Sequence, residues 1–87
     1  MTTPEIEKKI ITIIAGKFSA DPTKITGTTK LAEDLKVDSF GAVELMFELE
    51  EAFGLKIPDS EIGHIRTVND IVEYLASWME KQNAAKS

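Results

Sequence analysis

The stretch from Asp38 to Gly54 constrains the fold most, because it reads as one helix with two apolar faces. Successive helical residues turn by about 100°, so Ala42, Leu45, Met46, Leu49 and Phe53 gather on one side as a core stripe. Phe40, Val43 and Phe47 fall nearly opposite, edged by Glu44, Glu48 and Glu51. The first stripe requires other helices to pack against it. The second has the character of a partner-binding strip with an acidic rim, although a small domain leaves some apolar surface exposed in any case. Either Asp38 or Ser39 supplies the N-cap, and Gly54 ends the helix.

Three further segments carry helical signals. Thr2 or Thr3 caps a first helix, with Pro4 in its first turn and Glu5 in capping-box relation to Thr2; Ile6, Ile10, Ile13 and Ile14 share a face, and the helix fades near Phe18 and Ser19. A brief third helix starts at Pro58–Ile62 with Asp59 or Ser60 as its cap, and Gly63 keeps it short. Thr67 caps the last helix with Asp70 at the capping-box position, and Val68, Ile71, Val72, Leu75 and Met79 form its stripe. Residues 19–37 read as a long connection pinned by Ile25, Leu31 and Leu35, and loops of that length in small domains are often functional. No alternating run makes a convincing strand. The domain is expected to span residues 1–81, with 82–87 a flexible tail.

Eighty-seven residues suit one domain with a modest core, since a chain this short buries only about 60% of its unfolded surface. No deep catalytic cleft fits in it. The net charge of −5 argues against a nucleic-acid binder, which needs a basic face. Residues 33–61 hold nine carboxylates against two lysines, a local charge of −7, so the acidity centres on the two-faced helix and suits attraction of basic partners. There is no cysteine, and nothing resembles a signal peptide or a membrane span. The chain reads as a cytoplasmic monomer.

The reactive residues do not form a catalytic set. A nucleophilic serine needs a base and an oxyanion site, and the one histidine, His64, sits in a polar turn with nothing to tie it to Ser39. No metal site is expected, because the paired carboxylates at Glu33-Asp34 and Glu50-Glu51 lack the alternating oxygen loop calcium requires and read as a solvated face. Trp78 and Tyr74 edge the packed face of the last helix. Ser39 remains. Its plain role is a helix cap, yet Asp38 caps equally well, and a hydroxyl at a helix N-terminus sits where free N–H groups and the dipole stabilise an attached phosphate.

Glu33-Asp34-Leu35, Asp38-Ser39-Phe40, Val43-Glu44-Leu45, Leu49-Glu50-Glu51, Phe53-Gly54, Ile57-Pro58-Asp59 and Thr67-Val68 with Asp70, in that order, resemble the acyl carrier proteins of bacterial type II fatty-acid synthesis. The similarity runs from about Ile6 to Leu75. It implies an all-α four-helix bundle: three longer helices, a short third helix, and a long loop between helices one and two. It also implies a non-catalytic carrier whose Ser39 receives 4′-phosphopantetheine from coenzyme A through a phosphopantetheinyl transferase. Acyl groups would ride on that arm as thioesters to ketosynthases and other enzymes with basic patches. Docking would fall on the second helix, through Asp38, Phe40, Val43, Glu44, Phe47, Glu48 and Glu51. Leu45, Leu49, Ile57, Ile65 and Leu75 would line a space for the acyl chain. A peptidyl or D-alanyl carrier, or an unmodified helical adaptor in which Ser39 only caps, are the alternatives. Phe40 stands where the family has leucine, and Ser60-Glu61-Ile62-Gly63-His64 replaces its acidic third helix; both touch the partner surface, so the general fatty-acid carrier and a second, dedicated carrier for a lipid or a secondary metabolite stand as alternatives.

Overall fold

The computed structural model describes residues 2–86 of the backbone and the side chains of residues 2–81. Among the described residues five helices follow one another: α1 (Thr3–Phe18), α2 (Leu31–Asp34), α3 (Ser39–Phe53), α4 (Asp59–Ile62) and α5 (Val68–Lys86), with a 3₁₀ turn at Pro22–Lys24. The long α1, α3 and α5 and the short α4 make the four-helix bundle, and α2 is a single turn within the long first connection. The expected tail at 82–87 falls where side chains lie outside the described residues; the backbone continues α5 as far as Lys86.

Each long helix is delimited by local chemistry. Thr2 caps α1 with a capping box: its Oγ1 accepts from the Glu5 N–H at 3.4 Å, and its own N–H donates to Glu5 Oε1 at 3.4 Å. Ser19 ends the helix in the left-handed region at φ 53°. Gly54 ends α3 at φ 67°, where an L side chain would be strained, and its N–H returns to the Glu50 carbonyl. At the start of α5, Thr67 Oγ1 accepts from the Asp70 N–H at 3.2 Å while Asp70 Oδ2 accepts from the Thr67 and Arg66 N–H groups at 3.0 and 2.9 Å. Those two donors, that of Arg66 foremost, hold the Asp70 carboxyl below its ordinary pKa of 3.8. The short α4 differs from expectation. Neither Asp59 nor Ser60 caps it; Pro58 occupies the cap position and Asp59 is already helical, because the fixed φ of proline sets the turn without a side-chain bond.

One core joins the elements. Ile6, Ile10 and Ile14 of α1, Leu45, Met46 and Leu49 of α3, and Val68, Ile71, Val72 and Leu75 of α5 are all buried, with Leu55 and Ile57 from the connector. The first connection is anchored to the same core by Ile25 and Leu31 and is tied to the start of α5 by backbone bonds. Leu31 N–H donates to the Arg66 carbonyl, Val68 N–H to Thr29 and Asn69 N–H to Gly27, at 2.9, 3.1 and 2.8 Å. Their geometry includes one isolated antiparallel bridge, between Lys30 and Thr67, and no strand among the described residues. Two carboxylates read as solvated from sequence serve the backbone here: Glu50 Oε2 accepts from the Ile57 N–H at 2.7 Å, and Asp34 Oδ2 from the Lys30 N–H at 2.8 Å. Both meet donors that short, tightly turned segments leave without helical partners.

Candidate functional site

The chain reaches Ser39 through a tight bend. Lys36 adopts φ 58°, an uncommon conformation for a residue with a side chain, and this turn lets Val37 bury beside Leu31 while Asp38 swings out to cap α3. Asp38 Oδ1 accepts from the Gly41 N–H at 2.7 Å. The fit around Gly41 is close: a Cβ there would lie 3.2 Å from Asp38 Oδ1 and 3.4 Å from both Phe18 and Val37. The cap is therefore Asp38. Ser39 becomes the first residue of the helix, exposed, with no hydrogen-bond partner for its hydroxyl among the described residues. The N–H groups of Ser39 and Phe40 are likewise unpaired there, so a freed hydroxyl, free donors and the positive end of a 15-residue helix coincide.

Beside the serine lies an open groove of about 530 Å³, lined by segments far apart in sequence. Lys30, Leu31, Ala32 and Glu33 form one side, Val37, Asp38, Ser39 and Ala42 the floor near the helix, and Ile65, Arg66 and Thr67 the other side. Periodicity could not have found it, since no single element makes it. Of the five residues expected to line an acyl space, only Ile65 borders this groove. Leu45, Leu49 and Leu75 are wholly buried and Ile57 nearly so, all within the closed core. His64 is exposed on its turn and does not line the groove.

The outer face of α3 is as its pattern predicts. Phe40, Val43 and Phe47 are 72%, 39% and 61% exposed, the large apolar side chains that the core leaves out. Glu44, Glu48 and Glu51 are exposed beside them. Their charges are not equivalent, however, because Lys17 of α1 lies 3.6 Å from Glu48 and offsets part of its charge. Glu44 and Glu51 have no such partner among the described residues.

Comparison with known proteins bears directly on this arrangement. Residues 8–75 match the family described as "Phosphopantetheine attachment site". The chain belongs to that family. It is 43% identical over 74 residues to the acyl carrier proteins of Rickettsia canadensis and Rickettsia prowazekii, covering 85% of this chain and 86% of each relative. Its fold is similar to that of a solved acyl carrier protein from Enterococcus faecalis, with a TM-score of 0.75 and 34% identity over 88% of this chain and 98% of that one. The cofactor of the family is 4′-phosphopantetheine, and Ser39 has what its attachment requires: an unengaged hydroxyl, backbone donors suited to a phosphate, and a groove beside them. Among the described residues no helix is long and apolar enough to cross a membrane.

Proposed function

We propose that this chain is a non-catalytic acyl carrier whose Ser39 hydroxyl bears 4′-phosphopantetheine and which serves fatty-acid or related lipid and secondary-metabolite synthesis. The observation that carries the reading is the division of labour at the start of α3. Asp38 takes the capping bond, so the adjacent hydroxyl is exposed for modification. In an adaptor that used Ser39 only as a cap, that bond would belong to the serine.

The residues around Ser39 have separate tasks. Ser39 Oγ is the nucleophile offered to the transferase, forming the new P–O bond as adenosine 3′,5′-bisphosphate leaves from coenzyme A; His64, outside the groove, is not placed to take the serine's proton. When bound, the cofactor supplies a thiol that holds acyl groups as thioesters. The free N–H groups of Ser39 and Phe40 and the helix dipole stabilise the phosphate formed on Oγ. Partner enzymes with basic patches meet Asp38, Phe40, Val43, Glu44, Phe47, Glu48 and Glu51 on the outer face of α3. Glu44 and Glu51 supply the unshared charge and Phe40, Val43 and Phe47 the short-range contact. The apolar core residues Leu45, Leu49, Ile57 and Leu75, with Ile65 at the groove, are where an acyl chain would enter by parting the helices. The chain works as a cytoplasmic monomer in this reading.

The test is intact mass after incubation with coenzyme A and a broad-specificity transferase. The wild-type chain gains one phosphopantetheine, whereas Ser39→Ala gains none and keeps its fold. Modification of the Ala variant at another residue would refute the assignment. Identification of the group carried by protein purified from its host distinguishes acyl from aminoacyl cargo.

A further inference from the structure

Two basic side chains, Lys30 and Arg66, stand on the wall of the groove beside Ser39, in a chain of net charge −5. They are not equivalent. Lys30 Nζ lies 3.4 Å from Glu33, which also lines the groove, so its charge is answered locally. Arg66 has no carboxylate within ion-pair distance among the described residues. The other groove carboxylate, Asp38, is engaged with the Gly41 N–H.

Nor is position 66 a loose one. Its N–H donates to Asp70 Oδ2 at 2.9 Å, and its carbonyl accepts from the Leu31 N–H at 2.9 Å, which pins its backbone between the start of α5 and the start of α2. The backbone is fixed while the guanidinium makes no ion pair among the described residues. A planar group with several donors, carried on a fixed backbone, is suited to an anion that presents more than one oxygen. The anion nearest to hand is the phosphate that the preceding reading attaches to Ser39, on the same groove.

We propose that Arg66 binds the phosphate of the arm on Ser39 and thereby holds the arm in the groove, over Ala42 and Ile65, instead of leaving it in solvent. This rests on Ser39 being the attachment point. The groove's volume of about 530 Å³ lies in the range of pockets that hold small organic ligands, and its apolar lining of Leu31, Val37, Ala42 and Ile65 offers contact to the arm's methylenes. Because the arm is tethered, even a weak contact acts at high effective concentration. An exposed ion pair shifts such an equilibrium by about two- to fivefold, enough to favour the held arm yet small enough for a docked enzyme to reverse. Arg66 is a positioning residue in this scheme, and it takes no part in bond making.

The experiment compares wild type, Arg66→Gln, Arg66→Lys and Lys30→Gln, each loaded from coenzyme A to completion by intact mass and checked for fold by circular dichroism. The readout is the rate at which the terminal thiol reacts with a small neutral disulfide, at low and high salt, together with the ³¹P chemical shift. Arg66→Gln is expected to react about two- to fivefold faster than wild type at low salt, with a shifted ³¹P resonance. Arg66→Lys recovers part of the protection, Lys30→Gln stays near wild type, and high salt brings wild type towards Arg66→Gln because exposed charges are screened. Equal rates and unchanged ³¹P shifts for wild type and Arg66→Gln, both fully loaded, overturn the proposal. Failure of the wild type to load at all refutes the Ser39 reading, and this proposal with it.

Discussion

The helices α3 and α5 begin with the same ingredients, an aspartate and a hydroxyl residue, and use them in opposite ways. At α5 the protein answers every first-turn donor: Val68 N–H by Thr29, Asn69 N–H by Gly27 and Asp70 N–H by the Thr67 hydroxyl. At α3 only the Gly41 donor is answered by a cap, from Asp38, and the Ser39 and Phe40 donors stay open beside an unbonded hydroxyl. The difference continues along the two helices. The outward positions of α5 are polar, at Asn69, Glu73 and Ser77, whereas α3 turns Phe40, Val43 and Phe47 to solvent. The hydroxyl at α5 closes its helix start, and the one at α3 makes no hydrogen bond among the described residues.

The largest stability effects should separate the faces of these helices. Leu49 of α3 and Leu75 of α5 are both fully buried, so replacing either by Ala is expected to cost about 2–5 kcal/mol. Phe47→Ala should change stability by no more than about 0.5 kcal/mol, since its ring is 61% exposed. Urea unfolding of the three variants is the check. A loss at Phe47 as large as that at Leu49 would mean that α3 has no functional outer face, and the contrast with α5 would collapse.

How far this contrast is legible in the sequence follows from what fixes each part. The three long helices announce themselves through caps and 3.6-residue periodicity, as with Thr2 and Glu5, Thr67 and Asp70, and the stop at Gly54. The choice between Asp38 and Ser39 as cap is not legible, because both can accept the same donor; it is decided by where the backbone turns helical after the bend at Lys36, with Asp38 extended and Ser39 already in the helix. The turn α2 is also hidden, since four residues carry no period and Lys30 and Leu31 are held by Asp34 and by Arg66 far along the chain. For the same reason Lys30 and Arg66 do not stand out as neighbours of Ser39 until the two segments are bridged. The pairing of Glu48 with Lys17 likewise needs α1 and α3 side by side.

A middle-sized effect tests the caps themselves. Thr67→Ala removes the acceptor for the Asp70 N–H and should cost about 0.5–2 kcal/mol while leaving loading with phosphopantetheine intact. Ser39→Ala removes no such bond, so its stability should stay within about 0.5 kcal/mol of wild type. Asp38→Asn can still accept from Gly41 and should likewise remain folded. If Ser39→Ala proved as destabilising as Thr67→Ala, the serine would be a cap after all, and the two helix starts would be alike.

The smallest expected effect concerns acid, and it isolates the closed start of α5. The Asp70 carboxyl is held below its ordinary value of 3.8 by the N–H groups of Arg66 and then Thr67, so the folded state favours its ionised form. A carboxyl with a depressed folded pKa contributes stability above the unfolded value and loses it as pH falls through the folded one. The window therefore lies below about pH 4, on the scale of ordinary aspartates. Asp70→Asn keeps an oxygen to accept both bonds but cannot titrate, so its stability should lack this component of the acid response. Asp70 is only partly shielded, and after solvent screening the difference should not exceed about 1 kcal/mol. Glu5 and Asp21 are also held low by their threonine neighbours and contribute the same background to both proteins, which the comparison cancels. The measurement is the urea midpoint of each protein between about pH 5 and 2.5. A gap that narrows with acid supports an ionised Asp70 as part of the closed α5 start; a gap that stays constant would show that its bonds act without its charge.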